Sequence, residues 1–574
     1  MKSTLLLLLP VFFLVSLNSF SQSDKWLRLD FKGDLNSTEE QVFRDSLARN
    51  SFIKTKFQEL HQLGYLDPQQ KLIKSSKDSL WISVEPGVKF EWVELRQGNV
   101  ESVILVKAGV DLRRFSNRPF DFRQVSRLFE SVVRESENKG YPFASIRLDS
   151  LERIKNGFAA ALNLDLGPFI VFDTLKLTGD TKTKPKFLTK FLQIRPGEPF
   201  SQKKVTDGFQ QVRNLPYIRL AGEPELSFQN EEATLYLPIN DRKINSVDGI
   251  IGFLPNELEG GKLLVTGQFD VMLYNLGGTG RNYELHWQRF NQFSQNLKIA
   301  AFEPLLFGSS IDLGISFSLL KEDTTFLNRD FRLSFGYRFN SDGYLKFFSR
   351  RQAGDLLSSA GLGELTELPE AGDFRFNNYG INYSHYWVDD VFFPRRGVFA
   401  EMEFAVGNKN IIQNTAIPPS LYEDVMFKTL QYYLEGRIEK HFYFNTQWGL
   451  FSRLSGGLVQ NDNLLLNDLF RLGGLQSIRG FNENFFFADR YLYINLEPRF
   501  YFDTYSYFMI FADMGRIENN IQGLKVDNTF SAGLGLSLET GNGIFNFIYG
   551  LGGSNVQNFA LNQSKIHFGF TGRF

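Results

Sequence analysis

Phe470-Arg471-Leu472-Gly473-Gly474-Leu475-Gln476-Ser477-Ile478-Arg479-Gly480-Phe481 interrupts a series of segments in which apolar and polar residues alternate, and the series then resumes and runs to Phe574. The stretch is a glycine-rich loop carrying arginine, set between segments that read as membrane-spanning strands. An arginine brought into a confined lumen must find acceptors or bear a heavy desolvation cost, and its planar guanidinium suits a carboxylate met by two parallel hydrogen bonds. This combination predicts a transmembrane β-barrel with a charged loop folded inside it.

Individual segments on either side carry the strand pattern. Val265, Gly267, Phe269, Val271 and Leu273 occupy one parity while Thr266, Gln268 and Asp270 occupy the other, as expected where one face meets lipid and the other water. Tyr283, Leu285 and Trp287 alternate with Asn282, Glu284, His286 and Gln288, and Tyr379, Ile381 and Tyr383 with Asn378, Asn382 and Ser384. At roughly 20 residues per strand and turn, the chain from Asn245 to Phe574 holds ~16 strands, an even number as bacterial barrels require. An open edge would leave backbone groups unsatisfied in hydrocarbon, so the first and last strands are expected to pair. The closing strand, His567 to Phe574, ends on an aromatic and contains Gly569 and Gly572. Glycine supplies no side chain for cross-strand contacts, so these two either weaken the seam or only relieve crowding in a twisted strand.

Composition supports the same class. Phe makes up 60 of 574 residues, yet mean hydropathy is −0.22 and no segment after the amino terminus reaches the length of a membrane helix, which excludes a helical membrane protein. Lys2 followed by the apolar stretch Leu5 to Leu17 and then Ser19-Phe20-Ser21 reads as a signal peptide over residues 1–21. The chain has no cysteine, which excludes disulfides and lipid attachment at cysteine. A formal net charge of −1 gives no electrostatic reason for nucleic-acid binding.

Residues 24–242 differ from the rest, with helical periodicity between short strand-like runs, and read as three copies of one α/β unit: 24–88, 89–167 and 168–242. The first strand of each ends in a related turn, at Gly33, Gly98 and Gly179, recurring at intervals of roughly 65 to 80 residues. Pro119-Phe120-Asp121 with Val125 matches Pro199-Phe200-Ser201 with Val205, each an N-cap flanked by a hydrophobic staple. Ser37 to Glu40 reads as a capping box opening the first helix. Val125, Leu128, Phe129, Val132 and Val133 form one helical stripe that must face a sheet, and Gly140 ends that helix. Gly64-Tyr65 and Gly140-Tyr141 recur after the second helix, whereas the third copy has Asn214, an expected left-handed cap. These units resemble POTRA domains, the periplasmic modules of outer-membrane assembly and secretion proteins.

Arg479-Gly480-Phe481 in this setting resembles the BamA/TamA superfamily of outer-membrane insertases and transporters, whose members share an Arg-Gly-Phe or Arg-Gly-Tyr element on a loop inside the barrel. Asn275 to Arg281, Phe302 to Gly308 and Phe393 to Gly397 fit the same family, over nearly the whole mature chain. Phe511-Ala512-Asp513-Met514-Gly515 is similar to its barrel-wall motif, which implies Asp513 as first partner of Arg479. Glu497, on the lumen parity of Leu492 to Arg499, is the second candidate. Gly480 lets the loop turn tightly and Phe481 can wedge against the inner wall. The closing segment with Gly569, Phe570 and Phe574 resembles the signal by which outer-membrane barrels are themselves inserted, except that Gly572 stands where an apolar residue is usual.

No nucleophile elbow or P-loop is present, and His61, His286, His385, His441 and His567 lack metal-ligand spacing, so neither catalysis nor a metal or cofactor is expected. Three copies of the module look more like TamA than BamA, which usually carries five, or two-partner secretion transporters, which carry two. The resemblance implies a bacterial outer-membrane protein with its modules in the periplasm. It would insert or export unfolded client proteins, in contact with outer-membrane lipids and an accessory periplasmic protein. A dedicated transporter conducting one substrate through the lumen is the alternative, and a passive porin or an outer-membrane lipase or protease are further ones.

Overall fold

A computed structural model describes residues 24–155, 157–256, 262–289, 293–322, 325–358, 361–521 and 525–574; for 250–256, 262–267 and 568 it describes the backbone alone. The signal-peptide segment, and the side chains of Val265, Thr266 and Gly267, lie outside the described residues. The chain divides into two compact units, one of residues up to 170 together with 199–202, the other of 171–198 together with 203–574.

The first unit contains two small α/β sheets. One pairs Glu91–Arg96 in parallel with Gly157–Asp165, flanked by Ser145–Ile154 and Arg118–Pro119. The helix Phe122–Glu137 lies against it because Asp121 caps it, accepting from the Arg123 N–H at 2.8 Å, while Val125, Leu128 and Val132 are buried with Trp92, Phe120 and Phe158. Gly140 ends this helix at φ +98° and Gly98 turns at φ +62°, where a Cβ would stand 1.8 Å from the Leu162 carbonyl oxygen. Such a position admits glycine alone.

The other sheet departs from the expected order. Ser37–Phe43 is not the start of a helix but a strand, antiparallel to Lys25–Phe31 with Phe31 opposite Ser37. Thr38, Val42 and Phe43 suit a strand, and the two glutamates serve ion pairs instead of a cap: Glu40 with Arg28 and Glu39 with Lys56. The helix begins later, at Ser46, capped by Asp45 through the Ala48 N–H at 2.7 Å.

In the second unit a third sheet, Val171–Thr178, Ile218–Leu220, Glu225–Gln229 and Glu232–Asp241, packs with helices Pro185–Phe191 and Gln202–Arg213. Asn214 does not take the left-handed conformation expected of it. Its Nδ2 donates to the Ser341 carbonyl at 3.0 Å, so the residue that replaces glycine serves a contact with the barrel.

The barrel is one antiparallel sheet of sixteen strands. Its first half is β1 (Ser246–Asn256), β2 (Lys262–Leu276), β3 (Arg281–Arg289), β4 (Gln295–Glu303), β5 (Ile311–Glu322), β6 (Phe326–Arg338), β7 (Gly343–Leu356) and β8 (Phe374–Val388). The second half is β9 (Gly397–Ile411), β10 (Lys428–Tyr443), β11 (Trp448–Gln460), β12 (Arg490–Tyr501), β13 (Tyr507–Asn519), β14 (Lys525–Thr540), β15 (Gly543–Gly553) and β16 (Lys565–Gly572). The segment Val265 to Leu273 is therefore the second strand, and the amino-terminal edge is β1. Tyr379, Ile381 and Tyr383 are exposed on the outer wall while Asn378, Asn382 and Ser384 are buried within, as their parity predicts. Exposed Trp387, Phe442, Phe444, Trp448, Phe502 and Phe508 line the short-turn end between β8 and β13, as the aromatic girdle of a membrane interface would.

The expected pairing of first and last strands is reduced to its foot. Among the described residues β1 and β16 share one isolated bridge, Ser246 with Arg573, beside a bond from the Phe574 N–H to the Asn245 carbonyl at 3.0 Å. The sheet is not zipped into a closed ring.

The third module stands on the short-turn end. The Gly278 carbonyl accepts from the Lys184 N–H at 2.9 Å, Asn275 Nδ2 donates to Thr183 Oγ1 at 2.8 Å, and Arg242 forks onto Asp390 between β8 and β9. The turn Asn275 to Arg281 is thus a docking surface for this module.

Truncating Trp92, whose ring is packed 4.3 Å from Phe158 and 5.4 Å from Phe120, tests the core of the second module. Trp92→Ala is expected to destabilise it by about 3–5 kcal/mol, seen as selective cleavage of residues 89–167 in pulse proteolysis of the full chain.

Candidate functional site

The segment between β11 and β12 leaves the wall and folds into the lumen. Its root is fixed where the fully buried Lys409 of β9 pairs with Asp468 and donates to the Asn463 carbonyl at 2.9 Å. A short hairpin, Phe470–Leu472 with Phe486–Ala488, continues the loop, and Arg471 meets Glu322 of β5 at 2.7 Å. The tip is wedged by Ile478 and Phe481, both fully buried among Leu472, Phe486, Tyr491, Tyr493 and Ile517. Phe486 stands edge-on to Phe481 at 4.8 Å.

Arg479, 5% exposed, sits at the centre. Its backbone N–H donates to Asp513 Oδ2 at 3.0 Å, its Nε to the same oxygen at 2.9 Å, and its Nη2 to Oδ1 at 2.6 Å; Nη1 reaches Glu497 Oε1 at 2.6 Å. The guanidinium lies 3.9 Å from the centre of the Phe511 ring, so charge is met in the guanidinium plane and the face is covered by an aromatic. Asp513 belongs to β13 and Glu497 to β12, neighbouring strands in which residues of like parity aim inward together.

Gly480 has φ +82° and lies on β15, where a Cβ would come within 2.6 Å of the Gly552 nitrogen and 2.7 Å of the Leu551 carbonyl carbon. Gly552 in turn accommodates the Phe481 ring, and Gln557 Nε2 donates to the Gly480 carbonyl at 3.2 Å. The structure thus brings Arg479, Gly480, Phe481, Asp513 and Glu497 into one cluster. Gly569, Phe570 and Phe574 belong instead to the seam, with Phe570 and Phe574 exposed.

Sequence reasoning missed Arg499, which shares Glu497 through Nη2 at 2.5 Å, and also Gln557, the Gly550/Gly552 pair and the covering role of Phe511, which it quoted as part of the wall motif alone. Arg499 carried a signal, two residues from Glu497 on the same parity. Gly550-x-Gly552 carried one too, as a place where backbone can approach backbone. Among the described residues no group of His, Asp and Glu is arranged to hold a metal.

Residues 275–574, just over half of the chain, match the Omp85 superfamily domain. The chain belongs to the Omp85 superfamily. BamA of Neisseria meningitidis serogroup B, named an outer membrane protein assembly factor, is 20% identical over 249 residues; the match covers 42% of this chain and spans 30% of that relative's length. Two solved structures share the fold: CdiB from Acinetobacter baumannii, 13% identical with TM-score 0.54 over 92% of this chain and 98% of its own, and CdiB from Escherichia coli, 12% identical with TM-score 0.55 over 92% and 99%.

Breaking a buried ion pair strands the remaining charge, typically at about 3–5 kcal/mol, and in this Omp85 lumen Asp513 would be left without a cation while Glu497 keeps Arg499. Arg479→Ala is expected to lower the barrel's urea midpoint in detergent, followed by heat-modifiable gel migration, and Arg479→Lys to restore only part of it because an ammonium lacks the fork. Gly480→Ala forces the loop off β15 and should expose residues 461–489 to protease.

Proposed function

We propose that this protein is an outer-membrane assembly or translocation factor that inserts or exports client proteins and performs no covalent chemistry of its own. The observation that carries this reading is the seam. Away from the single foot bridge, the facing edges of β1 and β16 present backbone donors and acceptors to hydrocarbon, where each unsatisfied group costs several kcal/mol. A client strand pairing with such an edge removes that cost, and it needs no particular sequence to do so. Membership of the Omp85 superfamily supports the same reading.

In this proposal residues 1–21 direct export, and the modules at 24–88, 89–167 and 168–242 belong to the periplasm, the third of them at the short-turn end of the barrel, 245–574. Their free sheet edges add an extended client segment as a further strand and pass it towards the seam. The partners are unfolded outer-membrane or secreted proteins, outer-membrane lipids and an accessory periplasmic protein. Arg479, Gly480 and Phe481, with Asp513 and Glu497, brace the wall beside the seam while it is engaged. Gly569, Phe570 and Phe574 form the closing-strand signal through which the barrel itself is inserted.

A second reading, a dedicated transporter conducting through the lumen, is favoured by an inner cavity of about 600 Å³ lined by Arg332, Lys346, Glu401 and Glu403. One experiment separates the two. Extending the Ser246–Arg573 register sets Asp248 opposite Thr571, within the reach of a disulfide in an antiparallel pair, and the chain has no native cysteine to interfere. Oxidising Asp248→Cys/Thr571→Cys is expected to stop client insertion into liposomes and reduction to restore it, whereas a lumen conductor would go on working when locked. Deleting residues 24–242 is likewise expected to abolish insertion; a passive porin would keep its conductance unchanged.

A further inference from the structure

The wall opposite the seam carries a second feature. Across β8 to β12 the outward side chains stand in level rows, and one row reads Tyr383, Met402, Gly436, Gly456, Leu492. Two adjacent strands therefore offer only hydrogen where their neighbours carry Met402 and Leu492, each 55% exposed. The result is a groove of about 550 Å³ in the membrane-facing surface, walled by Tyr383, Met402, Leu434, Ile438, Leu454 and Leu492. Backbone geometry does not demand these glycines. Neither has a left-handed φ, and a Cβ at Gly436 would meet only the Glu401 carbonyl oxygen, at 3.4 Å.

Two rows nearer the short turns the sequence across the wall is Trp387, Val398, Lys440, Ser452, Leu496. Lys440 is half-buried on the outer wall, its ammonium 5.9 Å from the Trp387 ring and 5.4 Å from that of Phe442. Among the described residues it has no carboxylate partner; neighbouring Glu439 points into the lumen, where it pairs with Arg453 at 2.9 Å. Lys440 is four residues from Gly436, about 13 Å along the strand and about 10 Å in depth once barrel tilt is included. That fits within the hydrocarbon of one leaflet, about 15 Å.

We propose that this groove holds an acyl chain of one glycerophospholipid of the periplasmic leaflet, with the lipid phosphate on Lys440 and the Ser452 hydroxyl beside it. A client strand is a poor fit, because β10 and β11 are hydrogen-bonded on both sides and offer no free edge. A second barrel is a poor fit too, since it would bury the Lys440 charge against hydrocarbon. Only the choice of leaflet rests on the orientation given above; the binding itself is independent of client insertion.

The test is native mass spectrometry of the full chain released from detergent micelles, titrated with dioleoyl phosphatidylglycerol or with dioleoylglycerol, which has the same chains and no phosphate. Wild type is expected to retain one phosphatidylglycerol and to hold dioleoylglycerol far less well. Lys440→Gln should weaken phosphatidylglycerol binding about tenfold, the size of one lost charge-assisted contact. Gly436→Leu fills the groove and should weaken it with Lys440 intact. Lys440→Gln removes no contact the fold depends on, so it remains decisive if Gly436→Leu does not fold. Equal affinity of wild type and Lys440→Gln, equal retention of the two lipids, or a stable dimer in place of lipid adducts would each overturn the proposal.

Discussion

A peptide group in hydrocarbon must be hydrogen-bonded, and that constraint shapes every level of this structure. It rules out irregular chain in the wall, so sixteen strands run antiparallel and all but the two at the seam are bonded to a neighbour on both sides. It places the long loop between β11 and β12 in the lumen, where side chains from the wall can meet it. The same constraint makes the seam the least stable line in the barrel, because among the described residues the ladder shrinks there, and only there, to one bridge.

The two sides of that seam are held differently. On the carboxy-terminal side the loop is a clamp: Arg479 binds Glu497 on β12 and Asp513 on β13, while Gly480 seats against β15. On the amino-terminal side the contacts are at the foot, where the third module touches the turn after β2 through Gly278 and Asn275. A buried, multiply bonded guanidinium resists displacement more than turn contacts at a water-exposed rim. The strands β12, β13 and β15 are therefore tied together through the loop, and the turn between β2 and β3 is tied to the module.

Much of this was legible in the sequence because it rests on local rules. Strand parity at Tyr379 to Ser384 and the cap at Asp121 follow from the period of the backbone and its orphan N–H groups. The acidic partners of Arg479 were legible for other reasons: Asp513 through its likeness to the family's barrel-wall motif, and Glu497 because a charge inside a barrel needs an opposite charge at lumen parity. What failed depended on distant partners. Ser37 to Glu40 has the letters of a capping box, but Lys25–Phe31 claims its backbone as a strand, and Arg28 and Lys56 claim its carboxylates. Asn214 could have served as a left-handed cap, and a carbonyl in a barrel turn drew it elsewhere. The Lys409–Asp468 pair at the root of the loop left no local signature.

Glycine is the residue whose meaning sequence leaves most open, and the seam shows how coordinates decide it. At Gly98 and Gly480 backbone atoms stand where a Cβ would go, so no other residue fits. Gly569 and Gly572 of β16 allowed two readings, relief of crowding or a weakened edge. Among the described residues a Cβ on Gly569 would have nothing within 4 Å, and one on Gly572 would meet the Val247 carbonyl oxygen at 3.5 Å and the Phe570 ring at 4.0 Å. Among those residues there is no crowding to relieve. These glycines instead withhold the cross-strand side-chain contacts that would otherwise add stability along β16, each worth roughly 0.2–1 kcal/mol. They do so on the strand whose outer edge is already unpaired, so side-chain packing and backbone bonding both favour an edge that is inexpensive to part.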